Sequence, residues 1–167
     1  MTTSLDQLDL TGTGYCASFN FRRAARAVTR MYDDGFRGTR LRSTQFTILI
    51  AIAKSQPASI STLGSILVID STTLTRTLGK LQKQGLITVS KRAERRQRFV
   101  NLTEAGVEAL RESLPGWRAA HERFVKTIGP DFWLVFRSEL ERLAHVAIDL
   151  ESPPSDPGGP MPAILST

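Results

Sequence analysis

Two neighbouring groups of side chains in the middle of the chain have the chemistry needed to contact double-stranded DNA. The first follows Asp70 and combines short hydroxyl groups with long cations: Ser71, Thr72, Thr73, Thr75, Arg76 and Lys80. Arginine can donate two hydrogen bonds to guanine O6 and N7, and short hydroxyls suit phosphates, base edges or a thymine methyl group. The second group is a basic run with one acid, Glu94, inside it: Lys91, Arg92, Arg95, Arg96 and Arg98. Arginine is favoured in a narrow minor groove, where the negative potential is concentrated.

Positive charge is concentrated in this part of the chain. The 167 residues include 22 Lys and Arg against 16 Asp and Glu, a net charge of +6. Residues 71–103 alone carry +7, whereas residues 104–151 carry −3. A basic middle beside a neutral to acidic remainder indicates one surface that faces a polyanion. The alternative is a basic face that is only solvated.

The composition excludes several other classes of protein. The single cysteine cannot form an internal disulfide or a zinc or iron–sulfur site of the usual spacing. The sequence has neither a long apolar run nor a charged N-terminal leader, so we expect a cytoplasmic protein. No catalytic motif is present, and His121 and His145 stand alone. We therefore expect no enzymatic activity, no cofactor and no metal.

The elements that must position the two groups form a mainly α-helical fold with a small β-hairpin. Apolar periodicity predicts helices over about 17–36, 43–54, 59–67 and 71–84, the second capped by Ser43 and the fourth by Asp70. Asp70 can accept from the backbone N–H groups of Thr72 and Thr73, and Gly85 suits the position after the fourth helix. Short strands follow over 86–90 and 99–102, with the basic run between them. Strand, basic loop and strand after a helix–turn–helix predict a winged helix over about 43–103.

Two long helices follow the wing, the first capped by Thr103 and ending near Ile128, the second running over about 130–150. The second has an apolar seam that a compact winged helix cannot bury alone: Phe132, Phe136, Leu140, Leu143 and Leu150. Residues 16–36 and 104–150 are thus expected to dimerise with a second copy of the chain. We expect a single domain over 15–151, a flexible N-terminus over 1–14 and a disordered Pro/Gly-rich tail over 152–167.

With these elements in place, the chain resembles the MarR family of bacterial transcriptional regulators over about residues 16–150. The most specific segments are DSTTLTR at 70–76, LQKQGLI at 81–87 and LTEAG at 102–106. The resemblance implies a homodimeric repressor that binds a pseudo-palindromic operator. It also implies release by a small aromatic or carboxylic ligand, bound between the dimerisation and DNA-binding parts.

The sequence departs from the family pattern at two positions. The wing of the family usually carries an Asp-x-Arg pair, and Glu94 and Arg96 stand at those positions, so the acid is longer by a methylene. Glycine is frequent in the turn before the fourth helix, where this chain has Val68. Valine there predicts a turn without a positive φ.

Two alternative functions remain open at this point. One is an architectural protein that binds DNA through phosphates without an operator. The other is a redox-sensing repressor that uses Cys16, since a helix N-terminus can favour the reactive thiolate and some members of the family sense peroxide with a cysteine in this region. Cys16 lies about two residues upstream of that sensing position, so we expect an inert thiol.

Overall fold

The computed structural model describes residues 8–91 and 98–151. It contains six α-helices: α1 (Ala17–Gly35), α2 (Ser43–Ser55), α3 (Ile60–Leu67), α4 (Ser71–Lys83), α5 (Glu104–Ile128) and α6 (Pro130–Glu151). All six were predicted, with bounds that agree to within about two residues. A short 3-10 turn, Thr13–Tyr15, precedes α1. The predicted disordered tail, 152–167, lies outside the described residues.

The sheet has three short antiparallel strands, β1 (Ala58–Ser59), β2 (Ile87–Lys91) and β3 (Arg98–Leu102), in the order β1-β3-β2. The hairpin of β2 and β3 was predicted, but β1 was not. Two residues are too few to show an alternating pattern in the sequence. β1 forms because its backbone can pair with the free edge of β3. Ala58 pairs with Val100 there, and the side-chain oxygen of Gln56 accepts a hydrogen bond from Leu102 N at 3.0 Å.

Side chains cap three of the helices, two of them, at Asp70 and Thr103, as the sequence indicated. Ser59 accepts from Thr62 N at 3.0 Å, Asp70 from Thr73 N at 2.8 Å and Thr103 from Gly106 N at 3.0 Å. Each hydroxyl or carboxylate satisfies an N–H group that has no partner within its own helix.

The prediction that Ser43 caps α2 is wrong. Ser43 is the first residue of the helix, after Arg42, and its hydroxyl is buried without a hydrogen-bond partner in the described part of the chain. Its backbone N–H instead donates to Oδ1 of Asp33, at 2.7 Å. A carboxylate ten residues earlier therefore satisfies this N–H group, and the side-chain oxygen of Gln45 accepts from Arg42 N at 3.0 Å.

The turn between α3 and α4 also contradicts the sequence prediction. Val68 has φ 50° and ψ 49°, the left-handed conformation that glycine would adopt without steric cost. Val68 N donates to Ser65 O at 3.3 Å, and Ile69 N donates to Gly64 O at 3.0 Å. These two hydrogen bonds close the end of α3 in the Schellman arrangement, which requires a left-handed residue at this position. These hydrogen bonds hold Val68 in the left-handed conformation, although a β-branched side chain disfavours it.

The core lies between α2, α3, α4, the sheet and the first half of α5. Its largest fully buried apolar side chains are Leu49, Ile52, Leu63, Leu74, Leu81, Ile87 and Val100. Helix α1 crosses α5 where two glycines meet: a Cβ added to Gly116 would lie 2.0 Å from the carbonyl oxygen of Gly35. The two backbones thus touch without intervening side chains.

Candidate nucleic-acid interface

Helix α4 divides into a buried face and a polar face. Leu74, Leu78 and Leu81 are at most 2% exposed and pack into the core. The opposite side presents most of the residues predicted to contact DNA, because Ser71, Thr72, Thr75, Arg76 and Lys80 are exposed and Thr73 is half-buried. Within the described part of the chain, neither Arg76 nor Lys80 has an acidic side chain at ion-pair distance. Both cations are therefore available to an external anion.

The first turn of α4 is held by Asp70. Its carboxylate accepts from the backbone N–H of Thr73, and this hydrogen bond lowers the pKa of Asp70 below its usual value. The backbone N–H of Thr72 lowers the same pKa to a smaller extent, so both N–H groups that the sequence suggested act on this carboxylate. The carboxylate orders the turn that carries Ser71 and Thr72.

The other end of α4 is tied to α5, a connection that the sequence did not reveal. Gly85, at φ 72°, ends the helix as predicted, and Leu86 N closes it by donating to Leu81 O at 3.0 Å. The hydroxyl of Thr103 donates to Gly85 O at 2.6 Å while it accepts from Gly106 N. A Cβ on Gly106 would lie 2.1 Å from Leu86 O, so the backbones of the two segments are in contact. Thr103 and Gly106 thus position α4 relative to α5.

The β2–β3 hairpin projects beyond the core beside α4. Val89 pairs with Val100 near its base, and Lys91 pairs with Arg98 at its far end. Arg98 is exposed. The predicted contact residues Arg92, Arg95 and Arg96, together with Glu94, lie outside the described residues. Their roles stay predictions.

A cavity of about 800 Å³ lies between α1, α2, α3 and α5. Its walls are mainly apolar, and they include Phe36, Phe46 and Trp117. The resemblance implied a ligand between the dimerisation and DNA-binding parts, but the sequence did not identify Trp117 as part of a cavity wall. Tyr32 also lines the cavity. Its hydroxyl forms a hydrogen bond of 2.8 Å with Nδ1 of His121, a residue that does not line the cavity. Burial raises the pKa of Tyr32, so this hydroxyl remains protonated at neutral pH.

Helix α6 packs mainly on α5, through contacts such as that of Trp133 with Phe124. Its predicted seam is largely uncovered, with Phe132, Phe136, Leu143 and Leu150 exposed and Leu140 half-buried. Val135 and Val146 extend the exposed stripe at helical spacing and were missed. The first half of α1, which was expected to take part in the dimer, is also uncovered, with Phe21, Ala24 and Ala25 exposed. The described part of the chain therefore leaves two apolar helix surfaces without a covering element.

Comparison with known proteins identifies this arrangement. Residues 41–97 match the model of the MarR family. The structure of the transcriptional regulator MosR from M. tuberculosis in complex with DNA is 31% identical, with a TM-score of 0.75, and the match covers 82% of this chain and 99% of that one. The chain belongs to the MarR family. It is a DNA-binding transcriptional regulator with a winged-helix fold.

Two more distant structures share the fold of this MarR chain. The PcaV regulator from Streptomyces coelicolor, in complex with its natural ligand, is 18% identical, with a TM-score of 0.73 over 84% of this chain and 99% of that one. BpsR from Bordetella bronchiseptica, whose DNA binding is regulated by 6-hydroxynicotinic acid, is 19% identical, with a TM-score of 0.68 over 83% of this chain and 98% of that one. No curated protein sequence matches the chain.

Among residues 8–91 and 98–151, no helix is both long and apolar enough to cross a membrane. Cys16 is exposed, directly before α1.

Proposed function

We propose that this MarR protein is a homodimeric repressor that binds a pseudo-palindromic operator and is released by a small aromatic or carboxylic ligand. The observation that carries the proposal is the division of α4, which buries three leucines and presents hydroxyls, Arg76 and Lys80 on its exposed side. A helix of this kind reads the major groove with side chains near its N-terminus. The wing beside it would reach the minor groove and the phosphates.

The DNA-bound MosR complex supports the first part of this proposal. Arg76 is the sixth residue of α4, with no described acid to hold it, and it has the reach for a bidentate contact to guanine. Phosphate contacts position a protein without specifying sequence, so base contacts from α4 would provide the operator preference.

The uncovered surfaces of α1 and α6 support the homodimer. Phe132 is 57% exposed and Leu150 is 82% exposed, on a stripe that runs the length of α6. Contiguous apolar surfaces of this kind mark association sites. A second copy would bury both helices and place two α4 helices on one duplex, with their half-sites about 34–36 Å apart.

The apolar cavity supports a ligand-responsive repressor, because it lies between the helices proposed to dimerise and those that carry the DNA-binding face. The regulation of BpsR by 6-hydroxynicotinic acid is an example from a protein of the same fold. A ligand would release DNA only if it binds more tightly to a state in which the two α4 helices no longer fit the operator.

The test of operator recognition compares Arg76→Ala with Arg118→Ala, an exposed arginine on α5, on the intergenic DNA beside the gene and on a scrambled duplex. Loss of one good base contact should weaken operator binding by about 1–3 kcal/mol, with little effect on scrambled DNA. The Arg118 variant should bind both duplexes like the wild type. Equal losses on both duplexes for Arg76→Ala would instead indicate an architectural protein without an operator.

The test of the dimer uses light scattering at micromolar concentration. The wild type should give about twice the chain mass of 18.5 kDa. Phe136→Asp places a charge on the seam and should shift the protein toward monomer, because an unpaired charge would be buried in the interface. His145→Asp adds the same side chain at an exposed position on another side of α6 and should leave the dimer intact. A monomeric wild type would refute the two-half-site geometry.

A further inference from the structure

Three helices are joined by side-chain hydrogen bonds at the first turn of α2. Asp33, in the last turn of α1, accepts from Ser43 N through Oδ1 at 2.7 Å. Gln45 accepts from Arg42 N at 3.0 Å, and its amide nitrogen donates to Oε1 of Gln84, also at 3.0 Å. Gln84 is the residue that ends α4. A short chain of contacts therefore leads from α1, through the start of α2, to the helix that carries the proposed DNA-binding face.

The Asp33 carboxylate is better placed for α2 than for its own helix. A negative charge in the last turn of α1 meets the partial negative charge of that helix end, whereas the N-terminus of α2 carries partial positive charge. Ser43 N is one of the first N–H groups of α2, which have no partner within their own helix. Gly35, two residues after Asp33, touches the backbone of Gly116 on α5. The contact with Ser43 thus fixes the start of α2 relative to both α1 and α5.

Gln84 provides a directional contact at one end of α4. The three buried leucines hold α4 to the core, but apolar packing is not directional, whereas a hydrogen bond constrains both distance and angle. On the next residue, Gly85 O accepts from the hydroxyl of Thr103, the residue that caps α5. Two attachments at adjacent residues, one to α2 and one to α5, restrict the tilt of α4 more than either alone.

A small tilt at Gln84 becomes a displacement at the other end of α4. Thr72, in the first turn, is twelve residues from Gln84, which is about 18 Å along a helix. A rotation of about 5° around Gln84 would therefore move the first turn by about 1.6 Å. For two copies on one duplex the separation would change by up to about 3 Å, which is close to the rise of about 3.4 Å per base pair. The tilt of α4 thus bears on the spacing of half-sites that a dimer can fit.

We propose that Gln45 and Gln84, together with Asp33, are positioning residues that set the tilt of α4 relative to α1 and thereby the half-site spacing that the protein accepts. They act through the side chains of α4 that face DNA, such as Arg76, and not by contacting bases themselves. The consequence for half-site spacing rests on the proposed homodimer and its operator. The tilt itself is a property of one chain and does not depend on DNA.

The tilt is measured as a distance distribution within one chain. Full-length protein with Cys16→Ser, Arg30→Cys and Thr72→Cys carries nitroxide labels on α1 and α4. It is mixed with excess unlabelled protein, so that distances within a chain dominate, and measured by pulsed electron double resonance without DNA. Gln84→Met removes the hydrogen bond to Gln45 while keeping a side chain of similar length, and should broaden or shift the distribution by about 1–2 Å, as the length of α4 implies. Gln84→Glu retains an acceptor for the Gln45 amide and should leave the distribution unchanged.

Matched controls lie beside two of the positioning residues. Gln82 is an exposed glutamine of α4 whose side chain has no hydrogen-bond partner among the residues that the structure describes. Asp34 is an exposed carboxylate next to Asp33 that pairs with Arg37 instead. Gln82→Met and Asp34→Ala should leave the distribution unchanged, whereas Asp33→Ala should broaden it. An unchanged distribution in Gln84→Met, or an equal change in Gln82→Met, would overturn the proposal, and an unchanged distribution in Asp33→Ala would remove Asp33 from it.

Operator binding separates this inference from the proposed function. The affinity of unlabelled protein is measured on the operator and on duplexes whose half-sites are one base pair closer or further apart. A general loss of stability would weaken binding to all three duplexes alike. Loss of one neutral hydrogen bond per protomer in Gln84→Met should instead reduce the preference for the native spacing by at least about threefold. A changed distance distribution with an unchanged spacing preference would support the tilt set by Gln84 and contradict the two-half-site geometry. An unchanged distribution with specific operator binding would overturn the positioning role and leave the proposed function intact.

Discussion

Replacement of glycine by alanine should change the free energy of unfolding in opposite directions at two sites. One site is Gly116, where α1 crosses α5, and the other is Gly79. A Cβ on Gly116 would lie 2.0 Å from the backbone oxygen of Gly35, about 1 Å inside the closest approach that real Cβ atoms make. Both neighbouring groups are backbone, so no side chain can move aside, and the two helices must separate. Gly79, on α4, has no atom within 4 Å of the corresponding position.

The magnitudes follow from this geometry. Gly79→Ala should raise the free energy of unfolding by about 0.5–1 kcal/mol, because alanine loses less backbone entropy than glycine in a helix. Gly116→Ala gains the same helix propensity but forces apart two packed backbones, at a typical cost of about 1–3 kcal/mol or more. A net loss of about 1–2 kcal/mol is expected at Gly116.

The assay is thermal unfolding by circular dichroism at one protein concentration, since association changes Tm. At about 2–4 °C per kcal/mol for a chain of this size, Gly79→Ala should raise Tm by about 1–4 °C and Gly116→Ala should lower it by about 2–8 °C. Gly106→Ala, where the added Cβ would meet Leu86 O at 2.1 Å, should behave like Gly116→Ala. A Tm for Gly116→Ala at or above that of the wild type would refute the close contact of α1 and α5.

Three further substitutions test local features of the structure. Val68→Gly should raise Tm, because a left-handed valine costs about 1–2 kcal/mol and the side chain is 61% exposed; an unchanged or lower Tm would contradict the strain. Asp70→Ala should lower Tm at pH 7, where the carboxylate is charged. Since folding lowers the pKa of Asp70, this stabilisation is present above its unfolded pKa of about 3.9 and disappears as pH falls through the lower folded value, so a difference in Tm that persists at pH 2 would argue against the cap. Cys16→Ser should leave operator binding unchanged with and without an organic peroxide, and a peroxide response that the variant loses would establish redox sensing instead.

The wing shows which features of the fold could be predicted from the sequence and which could not. Its two strands could be predicted because β-branched residues over 86–90 and 99–102 flank a charged loop, and the structure places β2 and β3 within one residue of those bounds. The third strand, β1, could not be predicted, since its pairing depends on β3, about forty residues later. The contacts predicted for Arg96 and its neighbours with DNA also depend on a partner that the sequence does not contain.

Local signals in the sequence determined the six helices, the caps at Asp70 and Thr103 and the polar face of α4. These features depend on residues within one or two turns of each other, so periodicity and capping chemistry are sufficient to predict them. Only the tertiary structure decided the cap of α2 by Asp33, the left-handed Val68, the Gly35–Gly116 contact and the Tyr32–His121 hydrogen bond that spans 89 residues. The cavity has the same origin, because its walls come from four helices that meet only in the folded chain.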